Sequence, residues 1–230
     1  MTARSVQFAL FDLDGTLTDP FVGISRCIVH ALEQLGVPVP DRAALRSWIG
    51  PPLLGSFANW FSHLDVSAEP EWALELYRER FSTRGLYENR VYDGIPGLLN
   101  QLRGADIGMF VATAKPHAYA RRILEAFGLA GYFQHCYGSE LDGTRTDKVE
   151  LLTYLVAQEQ LDGACCAMIG DRLHDMEAAR YHGMEAIGVG WGYGTREELL
   201  SAGADLVVES PMALRDCLIA DRPAPEHPIT

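Results

Sequence analysis

Two aspartates one residue apart, followed by a glycine and a threonine, form the chain's first reactive cluster: Asp12-Leu13-Asp14-Gly15-Thr16. A second acidic pair lies far downstream, in Gly170-Asp171-Arg172-Leu173-His174-Asp175, and Thr113, Lys115 and Lys148 fall between the two. Four carboxylates gathered in one cleft repel one another unless a divalent cation sits among them, and a hard, oxygen-rich donor set suits Mg²⁺. With that charge neutralised, Asp12 can attack the phosphorus of a phosphate monoester to give an aspartyl-phosphate, which water then hydrolyses. Asp14 is placed to protonate the leaving oxygen and later to deprotonate the water. Thr113 and Lys148 suit the non-bridging oxygens whose charge shifts in the transition state. Gly15 lets the loop turn tightly and turn backbone N–H groups toward an anion.

Only two of the nineteen basic residues are lysines, Lys115 and Lys148. Codon bias is the ordinary cause of such a skew, but a retained lysine also fits a place that needs a compact ammonium rather than a planar fork. Of the two, Lys148 is expected to carry the larger share of catalysis.

These residues meet only if the fold brings them to one edge. Val6 to Leu10 reads as a short buried strand that delivers Asp12 and Asp14 at its C-terminal end. From Ile24 the apolar residues fall at helical spacing as far as Leu35, and Gly36 supplies the stop. Further helices are expected over Asp41 to Trp48, Leu53 to Phe61 and Pro70 to Arg84, so residues 19–89 read as all-helical. From Val91 the pattern alternates. Strands are expected at Ile107 to Ala112, Cys136 to Tyr137, Cys165 to Ile169, Ala186 to Val189 and Leu206 to Val208, with helices such as Ala118 to Phe127 and Val149 to Gln158 between them. This predicts an α/β protein: a Rossmann-like doubly wound parallel sheet built from residues 1–18 and 90–220, with an all-helical cap inserted at 19–89. Ligands of such sheets bind beyond the C-terminal strand ends, where the reactive residues fall. The proline-rich tail 221–230 is expected to be disordered.

The composition, 48% hydrophobic and 22% charged, is that of a soluble globular protein. No apolar run is long enough for a bilayer, and the N-terminus lacks the layout of a signal peptide. Five cysteines without a Cys-x-x-Cys pair fit neither a disulfide framework nor a zinc knuckle, so a cytoplasmic location is expected. A net charge of −12 argues against a nucleic-acid polymer or an anionic membrane as partner. A small phosphorylated metabolite remains, held at a locally positive site.

In order, Asp12-x-Asp14-Gly15-Thr16, Thr113, Lys148 and Gly170-Asp171-x-x-x-Asp175 resemble the four motifs of haloacid dehalogenase-type phosphatases. Within that superfamily the chain is most similar to the phosphoglycolate phosphatase-like group, and in particular to its bacterial 5′-nucleotidase-like branch. The finer likeness lies in Thr18-Asp19-Pro20, Ile49-Gly50-Pro51-Pro52-Leu53, residues 77–93 and Gly190-Trp191-Gly192-Tyr193-Gly194. The resemblance implies Mg²⁺ held by Asp12, the backbone carbonyl of Asp14 and Asp171, with Asp175 supporting. Leu173 departs from the branch pattern, which has a lysine there.

Other functions fit less well. No Gly-Lys-Ser/Thr of a P-loop occurs, and Gly188 to Gly194 lacks dinucleotide-binding spacing. Phosphonate cleavage resembles a Schiff-base chemistry that needs a cap lysine, and residues 19–89 contain none. Dehalogenation does not need Asp171 and Asp175. A phosphomutase would share every core residue, and a non-catalytic binding module would be expected to lose Asp12 or Asp14 first. His117 and His174 read as solvated surface residues. Specificity is expected around Ser47 to Leu53, Gly50 included, and near Arg78, Tyr87 and Asn89. Trp191, Tyr193, Tyr87 and Tyr92 are expected to offer faces on which a nucleobase stacks, with loop packing the alternative for Trp191 and Tyr193.

Overall fold

The computed structural model describes residues 6–219. The chain enters through β1 (Phe8–Phe11), whose residues are almost wholly buried, and turns into a two-residue strand, β2 (Thr18–Asp19). Four helices follow: α1 (Phe21–Gln34), α2 (Arg42–Ser47), α3 (Leu53–Leu64) and α4 (Pro70–Thr83). The chain then returns through β3 (Arg90–Val91), which pairs antiparallel with β2. Pro70 opens α4 at a position where its missing N–H costs no helical hydrogen bond, and the Asp41 side chain caps α2 by accepting from the Ala44 N–H. The ribbon brings the two ends of the helical stretch together, Thr18 opposite Val91 and Asp19 opposite Arg90.

After α5 (Ile95–Gly104) the chain alternates: β4 (Gly108–Pro116), α6 (His117–Ala126), β5 (His135–Ser139), α7 (Lys148–Glu159), β6 (Cys166–Gly170), α8 (Leu173–Tyr181), β7 (Glu185–Val189), α9 (Arg196–Ser201), β8 (Leu206–Val208) and α10 (Pro211–Ile219). The six long-sheet strands run parallel in the order β5-β4-β1-β6-β7-β8, with Phe8 opposite both Gly108 and Cys166. The doubly wound sheet read from the sequence is therefore present. The strand order reverses between β1 and β6, so the crevice opens where Asp12 and Asp171 end adjacent strands.

Two apolar layers flank the sheet. One joins Ala9, Phe11 and Val111 to the inner faces of α1, α3, α4 and α5, and the other packs Leu10, Phe110 and Met168 against α7 and α8. The first layer runs without a break from sheet to helical segment, through Leu17, Phe57 and Phe81.

The first strand begins two residues later than the sequence pattern suggests. β4 runs past Ala112 to Pro116, carrying Thr113 and Lys115 on the strand itself. No described helix is long and apolar enough to cross a membrane. The expected disordered tail lies outside the described residues.

Candidate active site

β1 ends at the centre of the sheet, and the Asp12 N–H donates to the Ile169 carbonyl of β6 at 2.9 Å, which locks the two strand ends side by side. The loop then turns through Gly15 at φ +89°, closed by a Gly15 N–H to Thr18 carbonyl bond of 2.7 Å. Glycine is needed there twice over. Its φ lies in the left-handed region, and a Cβ would stand 2.1 Å from Asp171 Oδ2. Gly170 ends β6, and Asp171 and Asp175 follow at the start of α8.

The loop after β7 wraps around Asp171. The Tyr193 N–H donates to Asp171 Oδ2 at 2.8 Å, and the Gly194 N–H to the Asp171 carbonyl at 3.1 Å. Gly192 passes so close that a Cβ would meet Asp171 Cβ at 2.3 Å. Trp191 anchors the loop by donating its indole N–H to the Thr16 carbonyl at 3.1 Å. The glycine-rich stretch 190–194 thus serves as a collar for Asp171.

Asp12, Asp171 and Asp175 each place a carboxylate oxygen within 4.8 Å of the other two, and all three are buried. Burial, reinforced by Asp12 and Asp175, pushes the Asp171 carboxyl well above the usual carboxylate range. Burial raises Asp175 too, opposed by the neighbouring Lys148. Asp171 Oδ1 is buried without a hydrogen-bond partner. An unpartnered anionic oxygen in an oxygen-only cluster is what a hard divalent cation requires, so the donor set fits Mg²⁺. The Asp14 carboxylate is not one of the three and pairs with Lys115, Nζ to Oδ2 2.6 Å. Burial raises its pKa and Lys115 opposes the rise.

Lys148 occupies the cleft floor. Its Nζ donates to Asp12 Oδ1 at 2.8 Å and to the Ala112 carbonyl at 2.9 Å, and pairs with Asp175 Oδ1 at 2.8 Å. Burial alone would lower its pKa, but Asp12 and Asp175 carry it above the ordinary lysine value. An ammonium has three N–H donors, and three acceptors already lie within reach. The sequence assigns Lys148 to a phosphate oxygen; the geometry makes it first a partner of the two aspartates. Thr113 is buried beside it and accepts from the Lys115 N–H at 3.2 Å, leaving its hydroxyl proton free to donate. Thr16 is fully buried and its Oγ1 has no partner.

Above this floor lies a cleft of about 690 Å³ bounded by the strand ends and the helical segment. Gly50 and Arg78 line it as expected from the sequence. Tyr87, Asn89 and Trp191 do not, and neither do Tyr92 and Tyr193. Tyr87 is exposed and accepts from Arg122, Asn89 donates to Thr18 at the ribbon, and Tyr193 donates its hydroxyl to Asp19. The expected base-stacking faces therefore lie away from the cleft: Trp191 and Tyr193 in the collar, Tyr92 next to the ribbon and Tyr87 on the surface against α6. The aromatic rings that line the cleft are Trp48, Tyr77, Phe81 and Tyr119.

Arg172 is the functional candidate that sequence reasoning passed over. Its backbone N–H donates to Asp175 Oδ2 at 3.2 Å, its Nε to Glu198 at 2.9 Å, and a terminal nitrogen to the Ile49 carbonyl. Gly50, at φ +105°, rests on that guanidinium, with a Cβ position 2.9 Å from it. One side chain thus ties the loop that carries Asp171 and Asp175 to the helical segment. Its place between Asp171 and Asp175 was the available signal, but nothing in the sequence links it to Ile49, 123 residues away.

Residues 9–189 match the family model for haloacid dehalogenase-like hydrolases. The chain belongs to the haloacid dehalogenase-like hydrolase family. Among its relatives in this family is a 5′-nucleotidase of Pseudomonas aeruginosa, 50% identical over 83% of this chain and 85% of that protein. Another is the tyrosine-protein kinase PtkA of Mycobacterium tuberculosis, 40% identical over 83% of this chain but only 64% of its own length. Among solved structures, a predicted phosphatase from Clostridium acetobutylicum superposes with a TM-score of 0.86 at 36% identity, covering 94% of this chain and 99% of the other. These likenesses make this family member an enzyme, a hydrolase of the phosphatase kind.

Proposed function

We propose that the enzyme hydrolyses small phosphate monoesters with Mg²⁺ bound by Asp12 and Asp171, Asp175 supporting, and that nucleoside 5′-monophosphates are its substrates. One observation carries the reading: Asp12, Asp171 and Asp175 converge within 4.8 Å beside Lys148, and Asp12, Asp175 and Lys148 line a cleft large enough for a metabolite, with Asp171 buried behind them. When bound, Mg²⁺ offsets the negative charge that would otherwise repel a phosphate dianion.

The side chains supply the rest. Lys148 holds the Asp12 carboxylate in one orientation, with an oxygen available to attack phosphorus. As the Asp12 O–P bond forms, the bond to the leaving oxygen breaks, and Asp14 gives that oxygen its proton. Asp14, now a carboxylate, takes a proton from the water that attacks the aspartyl-phosphate, and the P–O bond to Asp12 breaks to release phosphate. The Thr113 hydroxyl is suited to donate to a non-bridging oxygen.

The cleft wall supports a nucleoside over glycolate. Trp48, Pro51, Pro52, Leu53, Leu54 and Leu74 make an apolar side, and the exposed Glu71, Glu75 and Asp142 make the rim acidic, Glu140 being paired with Arg145. An acidic rim repels the carboxylate of 2-phosphoglycolate and tolerates a neutral base. Arg78, the cation of α4 in the cleft, is engaged by the Leu141 carbonyl at 2.9 Å. The 50%-identical 5′-nucleotidase points the same way.

The test is phosphate release from nucleoside monophosphates, ribose 5-phosphate and 2-phosphoglycolate, with Mg²⁺ or chelator. Nucleotides should have the higher kcat/KM, chelator should abolish turnover, and Asp12→Asn should be inactive yet folded, because its neutral amide cannot attack phosphorus. A preference for 2-phosphoglycolate would move the substrate to the runner-up, and phosphate moved within a sugar phosphate would indicate a mutase. Retained turnover in Asp12→Asn would remove the nucleophile. The kinase relative gives a second reading, phosphoryl transfer to a hydroxyl, which label on protein tyrosine instead of in water would favour.

A further inference from the structure

Among the described residues, the Asp14 carboxylate has one charged partner within ion-pair distance, Lys115, at 2.6 Å from Oδ2. Its Oδ1 is buried without a hydrogen bond. The orientation of the proposed proton donor therefore rests on one ammonium. The Lys115 side chain is itself only 7% exposed, and the helical segment packs against it: the Phe81 ring of α4 lies 4.6 Å from Nζ, at cation–π distance. Phe81 is fixed in turn, stacked on Tyr77 at 5.2 Å and edge-on to Tyr119 of α6 at 5.4 Å. An ordered chain of contacts thus runs from the inserted helices, through an aromatic face and an ammonium, to a carboxyl beside the nucleophile.

We propose that Lys115 is a positioning residue that aims the Asp14 carboxyl at the leaving oxygen, and that Phe81 completes its hold, so that proton delivery depends on the seating of α4 over the cleft. The inference rests on the phosphatase reading above. In the first step the P–O bond breaks, its electron pair stays on the leaving oxygen, and the Asp14 proton moves to that oxygen. A strongly basic alkoxide needs that proton; a weakly basic 2,4-dinitrophenolate departs without it. Lys115 therefore matters in proportion to the basicity of the leaving group. A lysine that only bound phosphate or held up the fold would matter equally for every ester.

The experiment compares kcat/KM, which covers the steps up to departure of the leaving group, for wild type, Lys115→Met and Phe81→Leu in the full Mg²⁺-loaded chain. The two substrates are the alkyl phosphate that wild type hydrolyses best and 2,4-dinitrophenyl phosphate. Lys115→Met should lose about 100-fold on the alkyl ester and about threefold or less on the aryl ester. Phe81→Leu, which keeps bulk but removes the π face, should lose about five- to tenfold on the alkyl ester alone. Equal losses on both esters would overturn the proposal. Should Lys115→Met fail to fold, Phe81→Leu decides by the same contrast. A wild type inert toward both esters overturns the phosphatase reading and this inference with it, a result distinct from equal losses in a working enzyme.

Discussion

Lys148 Nζ sits 2.8 Å from Asp12 Oδ1, and both groups are buried on the floor of the cleft. Because Asp175 shares the ammonium at 2.8 Å, removal of Lys148 leaves two buried carboxylates facing each other without a counter-charge. Lys148→Met is expected to lower kcat about 100-fold or more. In chelator it should also destabilise the protein by about 3–5 kcal/mol, the usual consequence of breaking a buried ion pair from one side. Mg²⁺ should restore part of that stability. Urea unfolding with and without Mg²⁺ checks it, and unchanged stability in chelator would contradict it.

Asp171 should show the opposite sign. Its folded pKa is raised by burial and by Asp12 and Asp175. A carboxyl whose folded pKa lies above its unfolded value destabilises the fold where it is ionised, and stability returns as pH falls through the folded pKa. Asp171→Asn keeps an acceptor for the Tyr193 N–H but removes the charge. In chelator it should raise Tm, by about 2–6 °C at pH 8 and by less at pH 5. It should also abolish any rise in Tm on adding Mg²⁺. Thermal unfolding at the two pH values reads all three effects, and a lower Tm at pH 8 would refute the expectation.

Gly15→Ala is expected to damage the proposed Mg²⁺ site from outside its donor set. The new Cβ needs the space of Asp171 Oδ2, 2.1 Å away, in a backbone conformation with φ +89°. The strain should cost about 1–3 kcal/mol. Displacement of Asp171 should weaken Mg²⁺ binding about tenfold or more, as loss of support around a metal ligand generally does. Calorimetric Mg²⁺ titration tests this, and an unchanged affinity would show that Asp171 moves aside without consequence.

Arg172→Ala should release the segment at Ile49 and Gly50 from the core. That segment lines the cleft, so KM should rise about tenfold with a smaller change in kcat. Arg172→Lys should not rescue it, since one ammonium lacks the fork that reaches Glu198 and Ile49 together. Steady-state kinetics on the preferred substrate decide, and an unchanged KM would show that the tie does not shape the cleft.

The parallel sheet and the helices between its first two strands were written in the apolar periodicity of the chain. Short buried strands and amphipathic helices have different periods, and a parallel sheet delivers strand ends to one edge, so Asp12, Thr113, Lys115 and Asp171 were legible from their places after apolar runs. Which charges pair emerges from the fold alone. Lys148 is 136 residues from Asp12 and Lys115 is 101 residues from Asp14, and no local pattern assigns one lysine to each aspartate. Nor could composition show that Trp191 and Tyr193 clamp Asp171 while Trp48 and Phe81 line the cleft, because an aromatic ring serves packing and stacking equally well until its neighbours are known. The ribbon of β2 and β3 was invisible for a simpler reason: two residues a side are too few to show a period, and their pairing spans a 70-residue insertion that only the folded chain closes.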